Sequence, residues 1–205
     1  AQLMAADLAT IDIGRNHQPA FPGEHPPTLD EVIRLVRGRM KLNVELKYNV
    51  ADPGLAPAVV ELLRRERFLD DAVITSLDYA ALGQVQALEP RLRTGHIVTA
   101  AVGDVLASSA DFLSLNAARV SASLVRRAHD AGKEIHVWTL NEPEGMLRMV
   151  ERGVDNIITD APALLERVMR DRAALSTAEI LGLRLRVLFA DPPPELTDPS
   201  AVAPL

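Results

Sequence analysis

Two short strings hold the side chains best suited to chemistry. In Leu42-Asn43-Val44-Glu45-Leu46-Lys47 polar and apolar residues alternate. An extended strand sends successive side chains to opposite faces, so Asn43, Glu45 and Lys47 share one face while Leu42, Val44 and Leu46 share the other. A carboxylate and an ammonium two residues apart on one face lie roughly 7 Å apart. At that separation they can neutralise each other's field, or hold an anionic substrate and a metal between them. A half-exposed ion pair on an edge strand is the other reading of the same pattern. The string Glu134-Ile135-His136-Val137-Trp138-Thr139-Leu140-Asn141 repeats the alternation, with His136 and Trp138 on the face opposite Ile135 and Val137. Trp138, the only Trp, stands at a strand's C-terminal end. It reads as an apolar wall against a substrate or as a space-filling core residue. His136, one layer deeper, reads as a hydrogen-bonded interior group.

The other histidines, His17, His25, His96 and His129, share no metal-ligand spacing. His129 reads as solvent-facing on a helix. There is no Ser-His-Asp order, no H-E-x-x-H and no P-loop. Asp160, before Pro162, reads as the N-cap of a Pro-started helix. With no Cys in the chain, a disulfide scaffold, zinc-thiolate sites, Fe–S clusters and a cysteine nucleophile are excluded.

These side chains need elements to position them. Strands are expected at Leu42–Lys47, Ala72–Ser76, Arg93–Val98, Asp111–Leu115, Glu134–Trp138 and Asn156–Thr159. Helices are expected at Leu55–Arg67, Tyr79–Leu88, Ser121–Ala131, Pro143–Arg152 and Pro162–Arg172, with a short link near Val102–Leu106. An earlier helix opens on a Thr28/Glu31 capping box and closes at Gly38. A short helix is expected at Leu3–Leu8. Strands alternating with helices at this interval read as βα units around a parallel sheet. No Gly-rich turn follows any strand, which argues against a dinucleotide site. Six units leave an open doubly wound sheet or a TIM-type barrel that has lost two units. Only in a barrel does the Asn43–Glu45–Lys47 row face a lumen with its last members at the C-terminal mouth.

Domain bounds follow from the pattern: 1–27 an insertion or loop region, 28–172 a partial (β/α) barrel, 173–190 a C-terminal helix or extension, and 191–205 a disordered Pro-rich tail. The 205 residues carry 22 basic and 28 acidic side chains, a net charge of −6, and 3% aromatics, which argues against a nucleic-acid surface. No apolar run reaches the length of a membrane span. Only Lys41, Lys47 and Lys133 are lysines, the other basic residues being Arg.

With these strings in order, a family resemblance emerges. Phe21-Pro22-Gly23-Glu24 followed by Pro27-Thr28-Leu29-Asp30-Glu31-Val32 resembles the approach to the third barrel strand of glycerophosphodiester phosphodiesterases. Asn43-Val44-Glu45-Leu46-Lys47 resembles their metal-ligand strand. Val73-Ile74-Thr75-Ser76-Leu77-Asp78, Val137 to Asn141 and Gly153 to Pro162 resemble later strands, in order, over about residues 21–165. Thr94 to Ala100 with Ala110 to Asn116 looks most like the subgroup whose catalytic domain follows a membrane-embedded N-terminal region. The resemblance implies a TIM barrel that hydrolyses glycerophosphodiesters to glycerol 3-phosphate and an alcohol. It implies a Ca²⁺ or Mg²⁺ cofactor held by carboxylates, two histidines as acid and base, and attack on phosphorus by the substrate's own glycerol hydroxyl. Carried onto this chain, it makes Glu45 a metal ligand, Lys47 a catalytic and substrate-binding cation on the phosphate, and Trp138 a substrate-binding wall on the glycerol side. The partner it implies is a small-molecule phosphodiester, with membrane association through an N-terminal region.

The chain departs from the family at one end. The family opens with a strand carrying His-Arg-Gly, a second strand with a Glu ligand, and a hairpin with an Asp ligand and the second catalytic His. No such His-Arg or strand-end His-Asp pair precedes residue 28. The expected architecture is therefore α/β, of TIM-barrel type and incomplete, with barrel strands three to eight present and the first two absent. A fragment, a truncated gene model and a degenerate protein all fit that expectation. So do a non-catalytic remnant barrel binding a phosphodiester or a protein, and a related barrel phospholipase. With one of three carboxylate ligands, weak metal binding is expected, with Asp78 the first candidate for a further ligand.

Overall fold

Every strand of a parallel sheet has to hide one row of side chains, and the helices that alternate with the strands supply the cover. A computed structural model describes residues 5–15, 20–48, 52–99 and 104–188. Six parallel strands, β1 (Leu42–Leu46), β2 (Ala72–Ser76), β3 (Arg93–Val98), β4 (Phe112–Asn116), β5 (Glu134–Trp138) and β6 (Asn156–Ile157), form one sheet in chain order. Among the described residues seven α-helices accompany them: α1 (Leu29–Val36), α2 (Leu55–Arg65), α3 (Tyr79–Leu88), α4 (Ala122–Asp130), α5 (Pro143–Arg152), α6 (Pro162–Ala173) and α7 (Thr177–Leu188). A doubly wound sheet reverses its strand order at a switch point, and this one does not. The sheet also curls. Glu45 of β1 lines the same cavity as Trp138 of β5, whereas a flat sheet would hold those strands about 19 Å apart. The fold is a curled half-barrel of the TIM type. Its end strands are β1 and β6, and neither pairs with a further strand among the described residues. No described helix is long and apolar enough to cross a membrane.

The alternation seen in the sequence sorts the two faces. Leu46, Ile74, Leu113, Leu115, Ile135 and Val137 are buried toward the helices. They form two adjoining cores, one with Ile33, Val60, Leu63 and Leu82 around β1 and β2, the other with Val125, Ala128 and Met149 around β4 and β5. On the inner face Gly95 stands beside Phe112, and a Cβ on Gly95 would lie 2.0 Å from the Phe112 ring. The missing side chain is the space that the ring fills.

Local chemistry sets the helix ends. The Glu31 carboxylate accepts the Thr28 backbone N–H at 2.8 Å and its hydroxyl at 2.7 Å. Asp78 caps α3 by accepting from Ala80 and Ala81 N–H, and Ser121 caps α4. Pro143 and Pro162 occupy first positions, where a missing N–H costs nothing. Gly153 ends α5 at φ 84°, the left-handed conformation that a side chain disfavours.

Several expected bounds move, each for a visible reason. Strand β6 stops at Ile157 rather than Thr159, because the Thr159 hydroxyl and the Asp160 N–H turn to the Asn141 side-chain oxygen at 3.0 and 2.9 Å. Asp160 is not a helix cap. Ala161 is the N-cap residue of α6, and the Asp160 carboxylate accepts from Asn141 Nδ2 at 2.8 Å. Strand β4 begins at Phe112: at Asp111 the side-chain carboxylate accepts the Thr94 N–H at 2.6 Å, while the Asp111 N–H donates to the Thr94 carbonyl at 2.9 Å. Lys47 falls just past the end of β1. The first expected helix is a 3₁₀ turn, Ala5–Thr10, and the short link another, Val105–Ala107. The tail 191–205 and His17 lie outside the described residues.

Before α1, Asp12 ties Gly14 and Arg15 to Gly23. Its carboxylate accepts the N–H groups of Gly14, Arg15 and Gly23 at 3.1, 2.9 and 3.1 Å. The Gly23 N–H, first among these, holds its pKa below the ordinary value. Beyond the barrel arc, α7 is tied to α5 through Glu151. That side chain is wholly covered, with Arg172 on one oxygen and Arg184 on the other at 3.1 Å.

If the Gly95–Phe112 contact sets the inner face, Gly95→Ala must overpack it, at a cost of about 2 kcal/mol. Urea unfolding should show a lowered midpoint, and Phe112→Leu on the same background should recover part of the loss. A midpoint unchanged by Gly95→Ala would mean the ring has room to move.

Candidate active site

The register of the strands decides which side chains meet. Asn43 pairs with Val73 and Glu45 with Thr75; Thr75 pairs with Gly95, which pairs with Phe112, which pairs with Glu134. One step nearer the C-terminal ends, Ile97 pairs with Ser114 and Ser114 with His136. These inner rows enclose a cavity of about 360 Å³. Asn43, Glu45 and Thr75 supply its polar side, Leu77, Ile97, Trp138 and Ile158 its apolar side, and Thr99 and Ser114 the rest.

Beneath it lies a floor. Phe112 is stacked on His136 with ring centroids 4.0 Å apart, and the Arg93 guanidinium stands 5.9 Å from the Phe112 ring centre while pairing with Glu134 at 2.8 Å. His136 is tied on both nitrogens, Nε2 to Glu134 at 3.1 Å and Nδ1 to Asn156 at 3.4 Å. Burial lowers its pKa against the opposing pull of Glu134. It is the hydrogen-bonded interior group that alternation indicates.

In the walls, Asn43 Oδ1 accepts the Thr75 hydroxyl at 2.9 Å. Glu45 has no hydrogen-bond or ion-pair partner among the described residues, and its carboxylate is exposed to the cavity mouth. Trp138 Nε1 is buried and donates to nothing. An unpaired buried donor costs about 1–3 kcal/mol, so a ligand oxygen reaching Nε1 would recover it. Asn43, Glu45 and Trp138 are thus brought together. Lys47 is not a wall residue. It stands exposed one residue beyond β1, with no ion-pair partner among the described residues. The strand no longer dictates where its side chain goes.

The remaining candidates lie elsewhere. His96 faces the helix side, 5.3 Å from the Tyr79 ring, with burial lowering its pKa. His129 binds Asp155 at 2.9 Å, rather than facing solvent alone, and His25 Nδ1 meets the Ile11 carbonyl. Asp78, the candidate further ligand, spends one carboxylate oxygen on its helix cap. Among the described residues no group of three or more His, Cys, Asp or Glu side chains could hold a metal. Thr75, Leu77, Ile97, Thr99, Ser114 and Ile158 also border the cavity, though none is singled out by the sequence alone. The signal was the same alternation, extended from β1 and β5 to the strands between them.

Known proteins resemble this chain in sequence and in fold. The model of the glycerophosphoryl diester phosphodiesterase family matches residues 1–164. A glycerophosphodiester phosphodiesterase of Caldanaerobacter subterraneus is 27% identical over 80% of this chain and 70% of its own length. Among solved structures, a Silicibacter pomeroyi protein of the same family name is similar at a TM-score of 0.74 and 28% identity, over 84% of this chain and 70% of that one. A phosphodiesterase from Oleispira antarctica, solved in complex with the product sn-glycerol-3-phosphate, is similar at a TM-score of 0.70 and 25% identity, over 80% and 70%.

The state of His136 gives a prediction. Its folded pKa lies below the ordinary 6.5, so the unfolded chain binds more protons there than the folded one. Stability is then full above pH 6.5 and falls as pH drops below it toward the folded value. Urea midpoints measured from pH 7.5 down to pH 5 should fall, and His136→Gln should flatten part of that slope. A slope identical in the variant would assign the effect to His96 instead.

Proposed function

Since the chain belongs to the glycerophosphoryl diester phosphodiesterase family, we propose that the concave face binds a glycerophosphodiester. The complete catalytic unit hydrolyses it to glycerol 3-phosphate and an alcohol: the P–O bond to the alcohol breaks, and one water supplies the new oxygen on phosphorus and the proton on the alcohol. The observation that carries this reading is the convergence of Glu45 and Trp138, from strands four apart in the sheet, on one cavity. The product complex of the Oleispira antarctica relative supports the ligand class.

In this reading the Trp138 ring covers the carbon side of the glycerol, and its Nε1–H donates to a substrate oxygen. The apolar arc of Leu77, Ile97 and Ile158 extends that cover. Lys47, on a flexible stem beside the mouth, brings an ammonium to the phosphate; a Lys point charge suits an anion approached from one side. The carboxylate of Glu45 is one ligand for Ca²⁺ or Mg²⁺, and such a cation, when bound, polarises the phosphoryl oxygens. The described residues do not make a full site for it. Ca²⁺ takes 6–8 oxygen ligands, Glu45 offers one unspent carboxylate, and the Asn43 oxygen already accepts from Thr75. These residues alone should therefore bind the cation weakly.

We further propose that the six strands correspond to strands three to eight of the family's barrel, and that the 205-residue chain is inactive by itself. The supporting observation is that the lumenal histidine among the described residues, His136, is committed on both nitrogens. General acid–base catalysis contributes on the order of 10²–10⁴ in rate. The same observation supports the second reading, a barrel that binds a phosphodiester and does not cleave it.

Glycerol 3-phosphate release from glycerophosphocholine, with Ca²⁺ or Mg²⁺ added, tests both. The chain should be at least about 10² slower than a version extended with the family's first two strands, and Glu45→Gln should abolish the metal-dependent rate of the longer version. Binding of glycerol 3-phosphate to the short chain should change the fluorescence of Trp138, its sole Trp. Binding without turnover by the longer version would favour the second reading. Metal-dependent turnover unaffected by Glu45→Gln would refute the site assignment.

A further inference from the structure

We propose that a second cavity, between the β4–α4 connection and α5, is an oxyanion site for a phosphate-class ligand, separate from the lumen. The cavity measures about 340 Å³. Ala117, Ala118 and Leu140 line one side, and Arg148, Met149 and Arg152 of α5 line the other. Residues four apart on a helix lie on one face, so both guanidinium groups border the same space. No Asp or Glu lines it.

The two cations are under-compensated. Arg152 is half-buried and donates one N–H to the Val120 carbonyl at 2.7 Å, which holds it against the connection. It has no carboxylate partner among the described residues. Burial, and then the neighbouring Arg148 charge, lower its pKa from the ordinary value. Arg148 meets Glu144 at 3.6 Å, but that carboxylate is 90% exposed, and an ion pair in water contributes little. Each guanidinium carries five N–H donors in a planar fork, so most remain unspent. That fork matches the oxygen edge of phosphate. An oxyanion between them would relieve the mutual repulsion and satisfy the spare donors. The exposed Ala118 leaves the space open to solvent. The two cavities share no lining residue: Trp138, the last residue of β5, borders the lumen, and Leu140, two residues on, borders this site. The proposal does not depend on the reading of the lumen.

The test is titration of inorganic phosphate into the full chain at constant ionic strength, with chloride as the balancing anion. The Nε–Hε NMR signals of Arg148 and Arg152 are followed. Both should shift and saturate. Arg148→Gln should weaken binding about tenfold, the loss of a charge-assisted hydrogen bond. Ala118→Glu leaves both arginines in place and puts a carboxylate on the open wall; it should abolish the response, with unfolding curves confirming an intact fold. Glycerol 3-phosphate as a second probe separates a free-phosphate site from one for phosphomonoesters. Linear shifts that chloride reproduces, or phosphate affinity unchanged in both variants, would overturn the proposal.

Discussion

The contact between the Phe112 ring and the vacant side-chain position of Gly95 is the constraint on which the inner face depends. The ring occupies the lumen at one level, stacks on His136 and lies beside the Arg93–Glu134 pair. One level nearer the C-terminal ends, Ile97 and Ser114 face an open cavity instead. Close packing stops abruptly at that boundary, and in a protein interior of near-crystalline density an unfilled space bordered by a carboxylate and an unpaired indole N–H is a place built for something else. The fold supplies a filled lower half and an empty upper half from the same strands.

Charge follows the same division. Away from the mouth, several ionic groups are paired: Arg64 with Glu89, Arg93 with Glu134, and Glu151 with two arginines at once. The exposed pairs contribute little. Glu151 is different, because its side chain is covered, and losing one arginine would leave a buried carboxylate undercompensated. It is what fastens α7, a helix beyond the span matched by the family, to the barrel arc. At the mouth the pattern reverses, and Glu45 and Lys47 stand without partners among the described residues. Charge left unpaired beside a cavity is free to meet a bound polar ligand.

The sequence by itself determined a great deal here. Alternation of period two in β1 and β5, helical spacing between the strands, and a capping box such as Thr28/Glu31 depend on neighbours a few residues away, and local rules read them well. The same rules placed Glu45 and Trp138 on inner faces before their proximity was known. Where reading failed, a distant partner had intervened. Asp160 gave up a capping role because Asn141 reached it from the preceding connection, and β6 ended early for the same reason. What only the tertiary structure decided was the curl. A sheet's bend is set by twist summed over all its strands and by what fills the concave side, and no single string contains either. That curl is why a carboxylate on β1 and an indole on β5 border one cavity, while Lys47, two residues from Glu45, has slipped past the last rung of the ladder and out of its wall.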